Sequence, residues 1–182
     1  MLGMMASFQE ALSIAYNWFG YSPKNYVLYL KSTMLNEDYK DMLRALCDEQ
    51  VEFLLVGAYA LACHGYPRST LYIDIWVKPS KENAKALLKA LTTFGAPTAN
   101  ISQEDFETSG IIFQIGVAPR RIDIITSVTG LDFDKTFDKS IEVDVEGLTV
   151  RVPSKDDLII NKKATGRTKD IADVEMLSNS EQ

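Results

Sequence analysis

The sequence is poor in the residues that build most metal and redox sites. Among its 182 residues there is one histidine, His64, and there are two cysteines, Cys47 and Cys63. A single histidine excludes a multi-histidine metal centre, and two distant cysteines are too few for a zinc ribbon or a disulfide framework. Because both cysteines lie among apolar residues, we expect reduced, buried thiols in a cytoplasmic protein.

The sequence also lacks an excess of positive charge and any long hydrophobic run. Its 19 Lys and Arg residues are outnumbered by 25 Asp and Glu residues, which gives a formal net charge of −6. This balance argues against non-specific coating of nucleic acid, which requires many phosphates to be neutralised, but it allows a local basic pocket. No apolar stretch approaches the roughly 18 residues of a membrane span. We therefore expect no membrane partner and no signal peptide.

The length and composition predict one domain with an N-terminal appendage. A chain of 182 residues that is 46% hydrophobic can bury a sizeable core. Residues 1–33 are predicted to be an N-terminal extension, helical or partly disordered, in which Gly20 and Pro23 interrupt an apolar pattern of helical spacing. This extension is either a surface for a protein partner or a segment packed on the domain, which we place at residues 34–182.

Hydrophobic patterning predicts both helices and strands in the domain. The predicted helices cover residues 35–50, 58–63, 80–94, 154–165 and 169–177, and the predicted strands cover 51–56, 71–77, 111–117, 121–125, 141–145 and 148–152. The last four strands should form two hairpins. The acidic segment 132–138 is interpreted as a solvated loop, because the glycine of a calcium-binding EF-hand loop is missing. The order predicts an α+β (α/β-like) domain with a mixed β-sheet flanked by helices.

The functional interpretation depends on residues 53–77, with the sequence FLLVGAYALACHGYPRSTLYIDIWV. This segment is predicted to be a buried strand, a glycine turn, a short helix, an arginine-bearing loop and a second buried strand. Gly57 lets the chain turn and lets a ligand approach the backbone. The N-terminus of the helix that follows offers N–H groups to a phosphate. Alone the pattern is weak, since most such glycines only turn the chain.

Two aspartates are unusual because they lie inside apolar strands. Asp74 and Asp123 are each flanked by isoleucines. Aspartate is disfavoured in strands, and a buried carboxylate without compensation is costly. If the two strands are neighbours, the carboxylates can share a hard cation such as Mg²⁺ with substrate phosphates. The alternative is that each aspartate pairs with a basic residue, for which Arg68, Arg120 and Arg121 are candidates.

Several segments together resemble a known family. Leu-Val-Gly-Ala-Tyr-Ala-Leu-Ala, His-Gly-Tyr-Pro-Arg-Ser-Thr and Ile-Asp-Ile-Trp-Val are similar to the signature of small bacterial nucleotidyltransferases of the DNA polymerase β-like superfamily. Arg-Ile-Asp-Ile-Ile supplies a match for the third aspartate of that family. The tail Asp-Leu-Ile-Ile-Asn-Lys-Lys-Ala-Thr-Gly-Arg-Thr-Lys-Asp-Ile-Ala-Asp is similar to the family's closing helices. The resemblance covers residues 35–177.

The resemblance implies the nucleotidyltransferase fold and a transfer reaction. In that family, Mg²⁺ (or Mn²⁺) ions assist transfer of a nucleotidyl group from a nucleoside triphosphate to an acceptor, which for this chain could be RNA, a protein or a small molecule. The resemblance assigns Asp74 and Asp123 as catalytic metal ligands, and Gly57 and Ala58 as the turn that holds the triphosphate.

Two basic residues are candidates for substrate contacts. Arg68 lies just before the second strand, where it could reach a phosphate; the alternative is an ion pair with Asp74. Lys162 belongs with Arg167 and Lys169 to a basic cluster near the C-terminus of an acidic protein. This cluster could bind the triphosphate or an acidic substrate, and its alternative is a solvated helix end.

One position departs from the family's Asp-x-Asp motif, because Tyr72 replaces the first aspartate. Residues i and i+2 of a strand share a face, so the motif normally presents two carboxylates to one pair of metal ions. A phenol, with an unperturbed pKa of about 10, is a poor ligand for Mg²⁺. The alternative function is therefore a catalytically impaired nucleotide-binding or protein-interaction module, for example in a toxin–antitoxin context.

Overall fold

The computed structural model describes residues 35–178, and the prediction for residues 1–33 lies outside this range. The helices are α1 (Glu37–Asp48), α2 (Gly57–Cys63), α3 (Lys81–Phe94), α4 (Gln103–Glu107), α5 (Phe133–Lys139), α6 (Lys155–Thr165) and α7 (Thr168–Ser178), with a 3-10 turn at Thr98–Asn100. The strands are β1 (Phe53–Val56), β2 (Tyr72–Val77), β3 (Ile112–Ile115), β4 (Arg121–Ile125), β5 (Ile141–Val145) and β6 (Leu148–Val152).

The main sheet has four strands in the order β1–β2–β4–β3. β1 runs antiparallel to β2, β2 runs parallel to β4, and β3 runs antiparallel to β4. β5 and β6 form a separate antiparallel pair. The prediction of an α+β domain with a mixed sheet is confirmed, and so are both hairpins.

The two faces of the main sheet have different roles because side chains alternate along each strand. Ile73 and Ile122 point into the main hydrophobic core, to which α1 and α3 contribute their buried faces. On the opposite face, Trp76 packs edge-on against Phe133 with ring centroids 5.1 Å apart. Asp74 lies two residues before Trp76, so this second face carries the polar residues of interest next to a small apolar cluster.

Helix ends follow the local signals in the sequence. The Ser80 hydroxyl accepts a hydrogen bond from the backbone N–H of Asn83 at the start of α3, and the Ser154 hydroxyl accepts one from Asp157 at the start of α6. These are N-caps, which satisfy backbone donors that a helix start leaves free. Both helices end at a glycine in the left-handed conformation, which is a common end of helices.

The prediction of a solvated loop at residues 132–138 is wrong, because this segment contains α5. Asp132 is its N-cap and accepts a hydrogen bond from the backbone N–H of Lys135. The helix exists because it buries Phe133 against Trp76, a tertiary contact that three nearby acids obscure in the sequence. The short helix α4 was also not predicted; it begins with a capping box between Ser102 and Asp105.

The remaining composition-based expectations concern thiols and membranes. Cys47 and Cys63 form no disulfide with each other, and they are half-buried rather than fully buried as predicted. Among the helices of residues 35–178, none is long and apolar enough to cross a membrane.

Candidate functional site

Asp74 of β2 and Asp123 of β4 are paired in the parallel register of the sheet. Neighbouring strands lie about 4.8 Å apart, and residues paired in register project to the same face. The two acids predicted from separate strands are therefore side by side, on the face opposite the main core.

Gly57 begins α2 directly against the carboxylate of Asp74. Its φ is +65°, and a Cβ added there would lie 2.2 Å from Oδ2 of Asp74. Only glycine suits this position, because it accepts the positive φ and leaves room for the carboxylate. The next residue, Ala58, is buried within α2. The predicted glycine turn is thus built around Asp74.

The environment of Asp74 raises the pKa of its carboxyl group. Burial raises the pKa of Asp74 to about 6, and the negative charge of Asp123 adds to the rise. Lys162, Arg121 and Lys169 oppose it through their charges alone.

Asp123 is 5% exposed, and its charge is met by Arg121. The guanidinium of Arg121 donates through Nε to Oδ1 and through Nη2 to Oδ2, each at 2.8 Å. The two residues are i and i+2 on β4 and share a face, which makes the bidentate pair possible. Of the alternatives in the sequence, the pairing of Asp123 with Arg121 is the one that the structure contains.

Tyr72 lies directly beside Arg121, because the two residues are paired in the β2–β4 register. The guanidinium carbon is 4.5 Å from the centroid of the Tyr72 ring, within the range of a cation–π interaction. Tyr72 and Asp74 on β2 and Arg121 and Asp123 on β4 form a two-by-two array, which we call the strand quartet.

Asp74 and Asp123 line a cleft of about 500 Å³ between the sheet and α6. This volume is within the usual range for small-molecule sites, about 300–1,000 Å³. One part of the lining is apolar and another part is polar and basic. The lining residues are Val56, Gly57, Asp74, Ile112, Gln114, Asp123, Ile125, Ser127, Val128, Thr129, Asn161, Lys162, Ala164, Thr165 and Arg167.

Lys162 lines the cleft from α6, where the sequence prediction placed a substrate contact. Its ammonium group lies 2.8 Å from Oδ1 of Asp170 and 3.0 Å from Oδ2 of Asp173, and its side chain is 3% exposed. Lys162 is therefore held in place by two aspartates of α7. Its contact with a phosphate stays a prediction.

Asp170 is the centre of this buried ionic cluster. Burial alone would raise its pKa, but hydrogen bonds from Lys162, Arg167 and Thr165 hold the pKa of Asp170 well below its usual range. Arg167 binds it through Nε at 2.5 Å while the Arg167 side chain stays 57% exposed. The cluster thus presents the free part of a guanidinium to the cleft.

Arg68 is part of the same cluster rather than of the strand quartet. Its Nη1 lies 3.4 Å from Oδ2 of Asp173. The ion pair between Arg68 and Asp74 that the sequence left open is not formed. Arg68 is also not among the residues that line the cleft in the described part of the chain.

The residues of the site fit a pair of divalent cations poorly. Within residues 35–178, no group of three or more His, Cys, Asp or Glu side chains is placed to hold a metal ion. Asp123 is bound by a guanidinium, and position 72 offers only a phenol. Three acids at the site are ion-paired within the chain: Asp123 with Arg121, Asp170 with Lys162 and Arg167, and Asp173 with Lys162 and Arg68.

Sequence reasoning did not single out Asp170 and Asp173. A signal was present: two aspartates three residues apart follow the basic cluster, so they share one face of a helix. The polar lining residues, such as Gln114 and Asn161, gave no signal of their own.

Comparison with known proteins gives a family and a fold. A family model described as "Nucleotidyltransferase of unknown function (DUF6036)" matches residues 32–180. Among solved structures, the chain is similar to a "putative nucleotidyltransferase" from Thermotoga maritima, with 15% identity, a TM-score of 0.51, and coverage of 87% of this chain and 93% of that one. At this identity the likeness shows the fold alone, and it confirms the fold that the sequence predicts. No curated protein matches.

Proposed function

Since this chain belongs to the DUF6036 family of nucleotidyltransferases, we propose that its cleft binds a nucleoside triphosphate. The observation that carries this proposal is the cleft of about 500 Å³, where Lys162 and Arg167 converge from α6 and the segment after it. These are the two cations that a polyphosphate would meet there.

The ionic cluster gives the phosphates a fixed partner. Arg167 uses Nε on Asp170 and keeps its remaining guanidinium N–H groups for a ligand, since its side chain is 57% exposed. Guanidinium groups bind phosphate oxygens in pairs, with charge-assisted hydrogen bonds. Asp170 therefore orients Arg167 before the ligand arrives, which lowers the entropy cost of binding.

The apolar part of the cleft suits the base and the sugar. Val56, Ile112, Ile125 and Val128 supply this surface, and Ile112 is 65% exposed. Burial of apolar surface and a few placed polar groups are the usual composition of a small-molecule site. The exposed amide of Gln114 is one such group beside the apolar surface.

A second candidate function is Mg²⁺- or Mn²⁺-dependent nucleotidyl transfer to RNA, a protein or a small molecule. The paired register of Asp74 and Asp123 favours it, because these are the two carboxylates that would hold the ion. For this function Arg121 would have to release Asp123.

Binding of labelled triphosphates by wild-type protein and two arginine variants tests the proposal. Arg167→Gln should weaken binding by about tenfold or more, because a guanidinium–phosphate contact is lost. Arg44→Gln is the matched control: Arg44 is 56% exposed and also pairs with an aspartate three residues away, but it lies on α1.

The result that would overturn the proposal is the absence of triphosphate binding by the wild-type protein, or an equal loss in both variants. Incubation with Mg²⁺, α-labelled triphosphates and each acceptor class tests the second candidate. Labelled product that disappears in Asp74→Asn would support transfer, and its absence in the wild type would exclude it under these conditions.

A further inference from the structure

The strand quartet places a permanent cation beside the two acids that line the cleft. Arg121 and Asp123 lie on β4, and their partners Tyr72 and Asp74 lie directly beside them on β2. The array measures about 4.8 Å across the strands and about 7 Å along them. The Arg121 guanidinium therefore lies within the area that a cation shared by the two strands would use.

Arg121 is fixed by two different contacts. Two charge-assisted hydrogen bonds of 2.8 Å attach it to Asp123, and the ring of Tyr72 packs on its guanidinium at 4.5 Å. Its side chain is 29% exposed and that of Asp123 is 7% exposed. Bidentate, charge-assisted hydrogen bonds of this kind are stronger than a single contact between exposed charges.

We propose that Arg121, braced by Tyr72, is a built-in cation that replaces a divalent metal ion beside Asp123 and Asp74, so that this site does not bind Mg²⁺ or Mn²⁺. The proposal does not rest on nucleotide binding. A divalent ion would have to displace the guanidinium from a nearly buried carboxylate. In exchange it would gain only two protein carboxylates, because position 72 supplies a phenol that packs on Arg121.

Tyr72 and Arg121 act as one unit in this account. An aspartate at position 72 would face Arg121 across the strands and give three acids around one guanidinium. That arrangement would carry excess negative charge and would attract a further cation. Tyrosine instead offers an uncharged ring face, which stabilises the guanidinium without adding an acid.

Titration with Mn²⁺ alone, followed by calorimetry and by the electron paramagnetic resonance signal of free Mn²⁺, tests the proposal without any nucleotide. The wild-type protein should bind no more Mn²⁺ than its Asp74→Asn variant. The double variant Tyr72→Asp/Arg121→Gln should bind one additional Mn²⁺ at least roughly tenfold more tightly than any site of the wild type. Adding Asp74→Asn to the double variant should remove this site.

The single variants and a neighbour control separate the contribution of each residue. Tyr72→Asp alone should gain less affinity than the double variant, because Arg121 still competes for Asp123. Tyr72→Asp/Arg120→Gln is the control. It also removes one positive charge, but from the adjacent residue Arg120, whose side chain is 67% exposed and contacts Asp38. It should behave like Tyr72→Asp.

Two results would overturn the proposal. One is wild-type Mn²⁺ binding that Asp74→Asn abolishes. The other is a Tyr72→Asp variant that binds Mn²⁺ as tightly as the double variant, since Arg121 would then present no barrier. The comparison of Mn²⁺ binding between the wild type and Asp74→Asn does not involve the double variant, so it tests the proposal even if the double variant does not fold.

Discussion

Arg121 binds both carboxylate oxygens of Asp123 at 2.8 Å, from a position two residues earlier on the same strand. This pair decides how the site can be interpreted. In a nucleotidyltransferase-family chain, the paired register of Asp74 and Asp123 suggests a metal clamp. The guanidinium already neutralises one of those carboxylates. Under the proposed function, Lys162 and Arg167 are the cations of the chain that a polyphosphate would contact in the cleft.

The raised pKa of Asp74 makes stability depend on pH. Its pKa is about 6 in the folded protein and 3.8 when unperturbed. Because the fold binds the proton more tightly, the stability from this group is complete below pH 3.8 and is lost as the pH rises through 6. Asp74→Asn should therefore stabilise the fold by about 1.4 kcal/mol more at pH 7.5 than at pH 5, by linkage.

Chemical denaturation of wild type and Asp74→Asn at the two pH values measures this difference directly. Asp41→Asn is the control, since Asp41 is 58% exposed in a surface pair on α1. It shows the effect of removing an exposed acid from a surface ion pair. A pH-independent effect of Asp74→Asn would contradict the raised pKa.

The contact between Gly57 and Asp74 predicts a large cost for a small side chain. Gly57→Ala should lower the free energy of unfolding by about 2–4 kcal/mol, because it adds both a positive-φ strain of about 1–2 kcal/mol and a clash with the carboxylate. Gly166→Ala is matched in backbone, with φ +62° and open space around its Cβ position, and should show only the strain.

A double-mutant cycle separates the two terms. In an Asp74→Gly background, Gly57→Ala should cost only the strain, since the clashing carboxylate is gone. Strictly additive effects of the two substitutions would show that the contact is not the cause.

The buried cluster on α6 and α7 predicts a strong effect of neutralising one acid. Asp170→Asn should destabilise the protein by about 3–5 kcal/mol, because it leaves Lys162 partly unpaired at 3% exposure. Asp41→Asn removes an acid from an exposed pair with the same i,i+3 spacing and should cost less than about 1 kcal/mol. Thermal or urea unfolding of both variants measures this contrast, and similar effects would refute the cluster's importance.

Local patterns in the sequence were enough to predict most of the fold. Short segments of the sequence are enough to identify the glycine turn, the two acids in apolar strands and the helix caps at Ser80 and Ser154. Each of these features can be predicted from neighbouring residues alone, because it depends on backbone conformation or on the alternation of side chains within one strand.

The remaining features depend on contacts between distant segments. Arg68, Arg120 and Arg121 were equal candidates to pair with the acids, and only the start of β4 at Arg121 places that residue on the face of Asp123. Similarly, α5 exists because Phe133 packs on Trp76, a contact that no short window of sequence contains. The ion pairs of Lys162 with two aspartates of α7 form because α6 packs against α7, and hydrophobic patterning does not predict which helices pack together.

The central claim is that the cleft binds a nucleoside triphosphate with the protein's own cations in place of a metal ion. Calorimetric titration of each triphosphate, once with excess Mg²⁺ and once with excess EDTA, tests it most directly. The account predicts binding in both conditions with affinities within about threefold, weakened tenfold or more by Arg167→Gln. Binding that occurs only with Mg²⁺ and is abolished by Asp74→Asn would contradict it.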